Sequence, residues 1–241
     1  MPFARCNRIN LYYEVHGRGE PVLLIAGKGE DHHAWDGMRD ELAAQNQVIV
    51  YDQRGTGWSE GAEWPEPETR ELAGDAIDLL DYLGLIRAHC FGAGTGAVVC
   101  HALAMVYPER VGAVVLDCPP AEDWLKTGRA GLAGGGSRPA RLAAGLSFAE
   151  VAPGAREGRL HSAVEEAHDT RDGLVEVAGP VLVIHGTEDP INPVAGRAPL
   201  AERLPGAEPN LAEVGRHGYS FEHREAVSRV VLDFLRRYRL G

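Results

Sequence analysis

The stretch Ala88-His89-Cys90-Phe91-Gly92-Ala93-Gly94-Thr95-Gly96-Ala97-Val98-Val99 holds two alternative chemistries in one shape. It reads as a short buried strand, a glycine-rich turn and the first turn of a helix. A turn of this kind serves as a nucleophile elbow, Gly-x-Ser-x-Gly, which lifts a serine above a sheet. It also serves as a dinucleotide fingerprint, Gly-x-Gly-x-x-Gly/Ala, which cradles a pyrophosphate. Gly92 and Gly96 fit the outer glycines of the elbow, with Gly94 where the serine would stand. Gly92, Gly94 and Ala97 fit the fingerprint, and Asp117 follows at the end of the next strand, where that motif requires an acid. A fingerprint usually opens its domain, whereas about ninety residues come first here, close to the ~100–200 of a whole domain.

The elements that must hold this turn alternate along the chain. Phe3–Cys6 and Ile9–His16 read as two strands around an Asn7-Arg8 turn, with Leu11, Tyr13 and Val15 at a period of two. Pro21–Ala26 is a continuous apolar run, as in a strand buried on both faces. Trp35–Leu42 reads as a helix and Gln47–Tyr51 as the next strand. Thr69–Leu83 is an amphipathic helix with Leu72, Ala76, Leu79, Leu80 and Leu83 on one face, N-capped by Thr69 and ended by Gly84. A helix over Thr95–Met105 stops before Pro108, and Val111–Asp117 is another buried strand. Strands at Pro180–Gly186 and Pro209–Val214 flank a helix at Val194–Leu204. A helix at Glu225–Tyr238 closes the chain. This alternation predicts a single α/β domain: a mostly parallel sheet with helices on both faces and one antiparallel edge from the N-terminal hairpin. The core is residues 1–120 and 173–241. The aperiodic segment 121–172 reads as a lid insertion over the C-terminal edge of the sheet.

The 241 residues, 44% hydrophobic and 24% charged, fit such a globular domain rather than a disordered chain. A net charge of −11 argues against nucleic acid or an anionic membrane as partner. No stretch is long and apolar enough to span a bilayer, and Met1-Pro2-Phe3-Ala4-Arg5 lacks the apolar core of a signal peptide, so a cytoplasmic location is expected. The four cysteines show no metal-ligand spacing, and Cys90 and Cys100 lie in apolar runs as reduced core residues. The expected partner is a small-molecule substrate, with no metal and no organic cofactor. Oligomeric state is not readable.

Several landmarks occur in an order that resembles the α/β-hydrolase superfamily over nearly the whole chain. Ala26-Gly27 stands where that family usually has His-Gly, and Asp52-Gln53-Arg54-Gly55-Thr56-Gly57-Trp58-Ser59 matches its Asp-x-Arg-Gly-x-Gly-x-Ser loop. The elbow and Tyr107-Pro108-Glu109-Arg110-Val111 follow, then Pro180–Asp189 and Gly215–Glu222. The resemblance implies the α/β-hydrolase fold, with Asp189 as the triad acid and His217 as the base. It implies an oxyanion hole from the backbone N–H groups of Lys28 and Thr95. It leaves Gly94 at the nucleophile position. His33, Cys118 and Tyr219 are candidates for lining the substrate pocket. The Asp52–Ser59 loop reads as structural, with Arg54 tying backbone carbonyls.

Without an Oγ at residue 94, the usual acyl-serine cannot form. Three readings remain for an enzyme-like site. The first is non-covalent chemistry by a His217–Asp189 general base with the oxyanion hole, as a lyase, a cyclase or isomerase, or by direct water attack, on a small apolar carbonyl compound. The second is a serine esterase whose nucleophile was substituted. The third is a non-catalytic binding protein that kept the pocket. A dinucleotide-binding oxidoreductase is the fourth, from the fingerprint alone.

Overall fold

A computed structural model describes residues 2–27, 29–61, 69–119, 177, 179–189, 207–212 and 215–241. Segment 121–172, the helix expected at Val194–Leu204 and Lys28 lie outside the described residues. Among those described, eight strands form one sheet: β1 (Phe3–Cys6), β2 (Ile9–His16), β3 (Glu20–Ile25), β4 (Asn46–Tyr51), β5 (Ala88–Ala93), β6 (Val111–Asp117), β7 (Val181–Gly186) and β8 (Glu208–Ala212). Their order across the sheet is β1-β2-β4-β3-β5-β6-β7-β8. The β1–β2 and β2–β4 pairings are antiparallel and all the others are parallel. The hairpin turn puts Asn7 at φ 42° and Arg8 at φ 71°, the left-handed pair that a two-residue hairpin needs.

Period-two alternation divides the strand side chains between two cores. Leu23, Ile25, Ile49 and Cys90 pack with α2 (Thr69–Tyr82) and α3 (Thr95–Val106). Val22, Leu24, Val48, Val50 and Phe91 pack with Trp35, Met38 of α1 (Asp36–Ala43), and Val227, Val231, Phe234 and Leu235 of α5 (Arg224–Arg237). Both faces are thus buried, which is why β3 from Pro21 and β6 up to Leu116 read as unbroken apolar runs. A short α4 (Tyr219–Glu222) precedes α5.

Two details differ from the sequence reading. Trp35 ends a 3₁₀ turn, His32–Trp35, and α1 starts only at Asp36. The reason is local: Asp31 accepts the His33 amide at 2.9 Å and closes a tighter turn first. Arg54 ties carboxylates, not carbonyls: its guanidinium donates to Asp75 and Glu71 of α2. Asp52 organises the same loop, accepting from the His32 amide at 2.7 Å and the Trp58 amide at 2.8 Å. Gln53 Nε2 donates to Ala26 O at 3.0 Å and so fixes the end of β3 beside the elbow. Among the described residues no helix is long and apolar enough to cross a membrane.

Candidate active site

The elbow is built by close backbone packing. A Cβ on Gly92 would lie 2.2 Å from Gly96 O, and one on Gly96 would lie 2.0 Å from Ile25 O, so neither position admits a side chain. Gly94 differs. A Cβ there would meet nothing nearer than Gly27 Cα at 3.9 Å, while φ 54° and ψ −117° put the residue in a conformation L side chains rarely adopt. The Gly94 amide donates to Asp117 O at 2.9 Å, and its carbonyl accepts from Ala97 N at 3.1 Å. The tip of the turn is therefore fixed to the end of β6.

The loops after β7 and β8 are pressed together. A Cβ on Gly186 would lie 2.2 Å from Gly215 O, and Glu188 N donates to that same carbonyl at 2.8 Å. This contact brings Asp189 and His217 together, with Nδ1 of His217 2.8 Å from Oδ2 of Asp189. Asp189 is 3% exposed, while the His217 side chain keeps 24% of its surface. Burial pulls the imidazole pKa down, but the bond and charge of Asp189, with Asp117 and Glu30 behind it, outweigh burial and hold it above its ordinary 6.5.

Two further carboxyls surround this pair. Asp117, at the end of β6, is 1% exposed, and its Oδ1 has no hydrogen-bond partner. Burial pushes its carboxyl up from 3.8 to about 6, against the pull of Ser220, Cys118 and the His217 charge. An acid offered to a cofactor ribose would stand open, so this burial removes the support Asp117 gave to the dinucleotide reading. Glu30 follows β3. Its Oε2 accepts the Gly27 amide at 2.9 Å, and its own amide donates back to Gly27 O at 3.2 Å. Desolvation raises its carboxyl, although the Gly27 bond and the His217 charge pull the other way.

Each remaining candidate has a definite place. Cys118 is buried at φ 45°, and the donor atoms of Cys118, Asp189 and His217 all lie within 4.8 Å of one another. Metal-ligand spacing along the chain could not reveal that grouping, because its members come from the ends of three strands. Thr95 opens α3 and is 2% exposed. His33 is exposed; it bonds Asp36 at 3.1 Å and packs against His32 and Trp58 on the Asp52 loop. Tyr219 packs its ring against Gly215 and stacks on His223 at 4.5 Å. Lys28 falls outside the described residues. Sequence reasoning missed Glu30 and gave Asp117 only a cofactor role. The available signals were an acid three residues past Gly27 and an acid closing a wholly apolar strand.

Residues 20–149 match the family model described as alpha/beta hydrolase fold. The chain belongs to that family. Residues 160–240 match a second model, described as TAP-like protein. Over 260 residues this α/β-hydrolase is 30% identical to the Azorhizobium caulinodans protein named "Putative carbamate hydrolase RutD", an alignment covering 97% of this chain and 98% of that one. A Caulobacter protein of the same name is also 30% identical, with 93% and 95% covered. Among solved structures, the enol-lactonase from Burkholderia xenovorans superposes with a TM-score of 0.82 at 25% identity, covering 97% and 99% of the two chains. The protein is thus an α/β-hydrolase-family enzyme of hydrolase type.

Proposed function

We propose that the protein hydrolyses small carbonyl compounds, carbamates foremost, by activating water directly rather than through an acyl-enzyme. The observation that carries this reading is the 2.8 Å His217–Asp189 pair in a site whose elbow, at Gly94, has no side chain. With Nδ1 engaged by the carboxylate, the proton sits on Nδ1 and Nε2 is the basic nitrogen. A water on Nε2 loses its proton as its oxygen attacks the carbonyl carbon. The open space above Gly94 gives that water the place a serine Oγ would take. The amides of Lys28 and Thr95 would stabilise the oxyanion, Thr95 from the start of α3. Cys118 would line the same pocket.

Carbamates are favoured as the substrate class because two nearly full-length relatives carry that activity in their names. The enol-lactonase likeness supports carbonyl chemistry more broadly. The same base could serve an elimination or isomerisation, but the named relatives favour water as the reactant.

The test is turnover of a panel of small carbamates and esters, with mass spectrometry of the enzyme quenched mid-reaction. His217→Ala is expected to lower kcat/KM about 10²–10⁴-fold. The rate should rise with pH through a midpoint above 6.5, because the base must be neutral and Asp189 holds its pKa up. A covalent adduct on any residue, or turnover indifferent to His217→Ala, would overturn the reading.

A further inference from the structure

We propose that Glu30 is a second catalytic residue, the general acid that protonates the leaving nitrogen while His217 serves as the base. The inference rests on the hydrolase reading above and deepens it, since it makes amine-leaving substrates the natural class of the site.

The placement comes from the loop after β3. The Gly27 amide donates to Glu30 Oε2 at 2.9 Å, and the Glu30 amide donates back to Gly27 O at 3.2 Å. This reciprocal pair folds the carboxyl over Gly27. A Cβ built on Gly27 would meet Glu30 Oε2 at 2.9 Å and Ala93 O at 3.2 Å, so the carboxyl and the strand end that leads into the elbow both border Gly27. Gly27 Cα is in turn the nearest group to a Cβ built on Gly94. The carboxyl and the open space at residue 94 therefore flank the same glycine. The ionised groups that act on Glu30 are His217, Asp117 and Asp31, so it shares a local field with the base. Desolvation favours its neutral, proton-carrying form.

The chemistry needs such a group. An amide anion is a poor leaving group, so breaking C–N requires a proton on nitrogen. In the first half-step, a water proton passes to His217 Nε2 as the water oxygen bonds carbon and the carbonyl π pair moves onto oxygen. In the second, that pair returns, the C–N bond breaks with its electrons on nitrogen, and the Glu30 O–H proton goes to that nitrogen. The products are the amine and a carbonic acid derivative. His217 is left protonated and Glu30 ionised, and one proton transfer from imidazolium to carboxylate restores both.

The experiment compares Glu30→Gln with the parent on an N-alkyl carbamate, whose amine must be protonated, and on a 4-nitrophenyl ester, whose phenolate leaves unaided. Glutamine keeps an oxygen to accept the Gly27 amide. We expect about a 10²-fold or greater loss of kcat/KM on the carbamate and less than about 3-fold on the ester. Across pH, the ratio of carbamate to ester turnover in the parent should fall as Glu30 ionises, and in Glu30→Gln that ratio should no longer depend on pH. Glu30→Asp, which keeps the acid on a shorter stem, should recover part of the carbamate rate, and urea unfolding of both variants separates rate loss from unfolding. Equal losses on both substrates, with the pH dependence of the carbamate-to-ester ratio unchanged, would make Glu30 a loop anchor and overturn the inference while leaving the base intact. Turnover untouched by His217→Ala would instead remove the reading on which the inference stands.

Discussion

At the scale of single residues, Asp117 makes the sharpest claim. Its carboxyl is raised from 3.8 to about 6 by burial, so the folded protein prefers it protonated. Stability from this group is full below the unfolded pKa of 3.8 and is lost as pH rises through about 6. Above that pH, holding the charge costs the fold on the order of 1–3 kcal/mol. Asp117→Asn is therefore expected to be more stable than the parent at pH 7 by urea denaturation, and no more stable at pH 3.5. It should also lower the pH–rate midpoint, because the Asp117 charge helps to hold the His217 pKa up. At Gly94 the constraint is torsional. Gly94→Ala should lose roughly 1–3 kcal/mol of stability, since φ 54° is strained for any side chain. Gly94→Ser should lose a similar amount and gain burst-phase release of 4-nitrophenol from 4-nitrophenyl acetate, provided His217 and Asp189 serve a hydroxyl as they would a water. The pairing of Asp189 with His217 was legible, because two motifs at the ends of successive strands pointed to it. Glu30 was not. A glutamate in a polar loop looks like any solvated acid until the return bond to Gly27 is seen.

At the scale of elements, a buried ion pair ties the loop after β4 to α2. Arg54 is 5% exposed and Asp75 1% exposed, and the guanidinium spans Asp75 and Glu71, one helical turn apart. Arg54→Ala leaves Asp75 buried and uncompensated, and is expected to cost about 3–5 kcal/mol, measured by chemical denaturation. The strands were readable because burial on both faces leaves no polar position to interrupt an apolar run. The helices α2 and α5 were readable from their apolar faces. The start of α1 was misplaced because a side chain, Asp31, diverts the backbone into a 3₁₀ turn, and such competition is invisible to periodicity. The partners of Arg54 were misassigned for a related reason. An arginine in a glycine loop satisfies carbonyls or carboxylates equally well, and only the docking of α2 decides which.

At the scale of the whole molecule, the sheet stands between two cores, and the face formed with α1 and α5 ties the chain's last helix to its first. Phe234 is fully buried there with Trp35 and Phe91, and Trp35 packs edge-on to Phe91 at 4.9 Å. Phe234→Ala is expected to cost about 3–5 kcal/mol in a cooperative unfolding transition. The α/β class and the mostly parallel sheet were legible from alternation alone. That Glu30 and Asp117 act on the Asp189–His217 pair was not, because these groups come from the ends of different strands and only the sheet brings them level. That arrangement has a consequence for how the protein can change. Glu30, Asp189 and His217 are each mounted on a separate loop, and each loop is anchored by its own strand. A loop can be lengthened, shortened or rewritten while the other anchors stay where they are. New reactivity can therefore be reached by exchanging one short segment at a time, and a library confined to residue 30 would vary the acid while the base, the elbow and the scaffold remain constant.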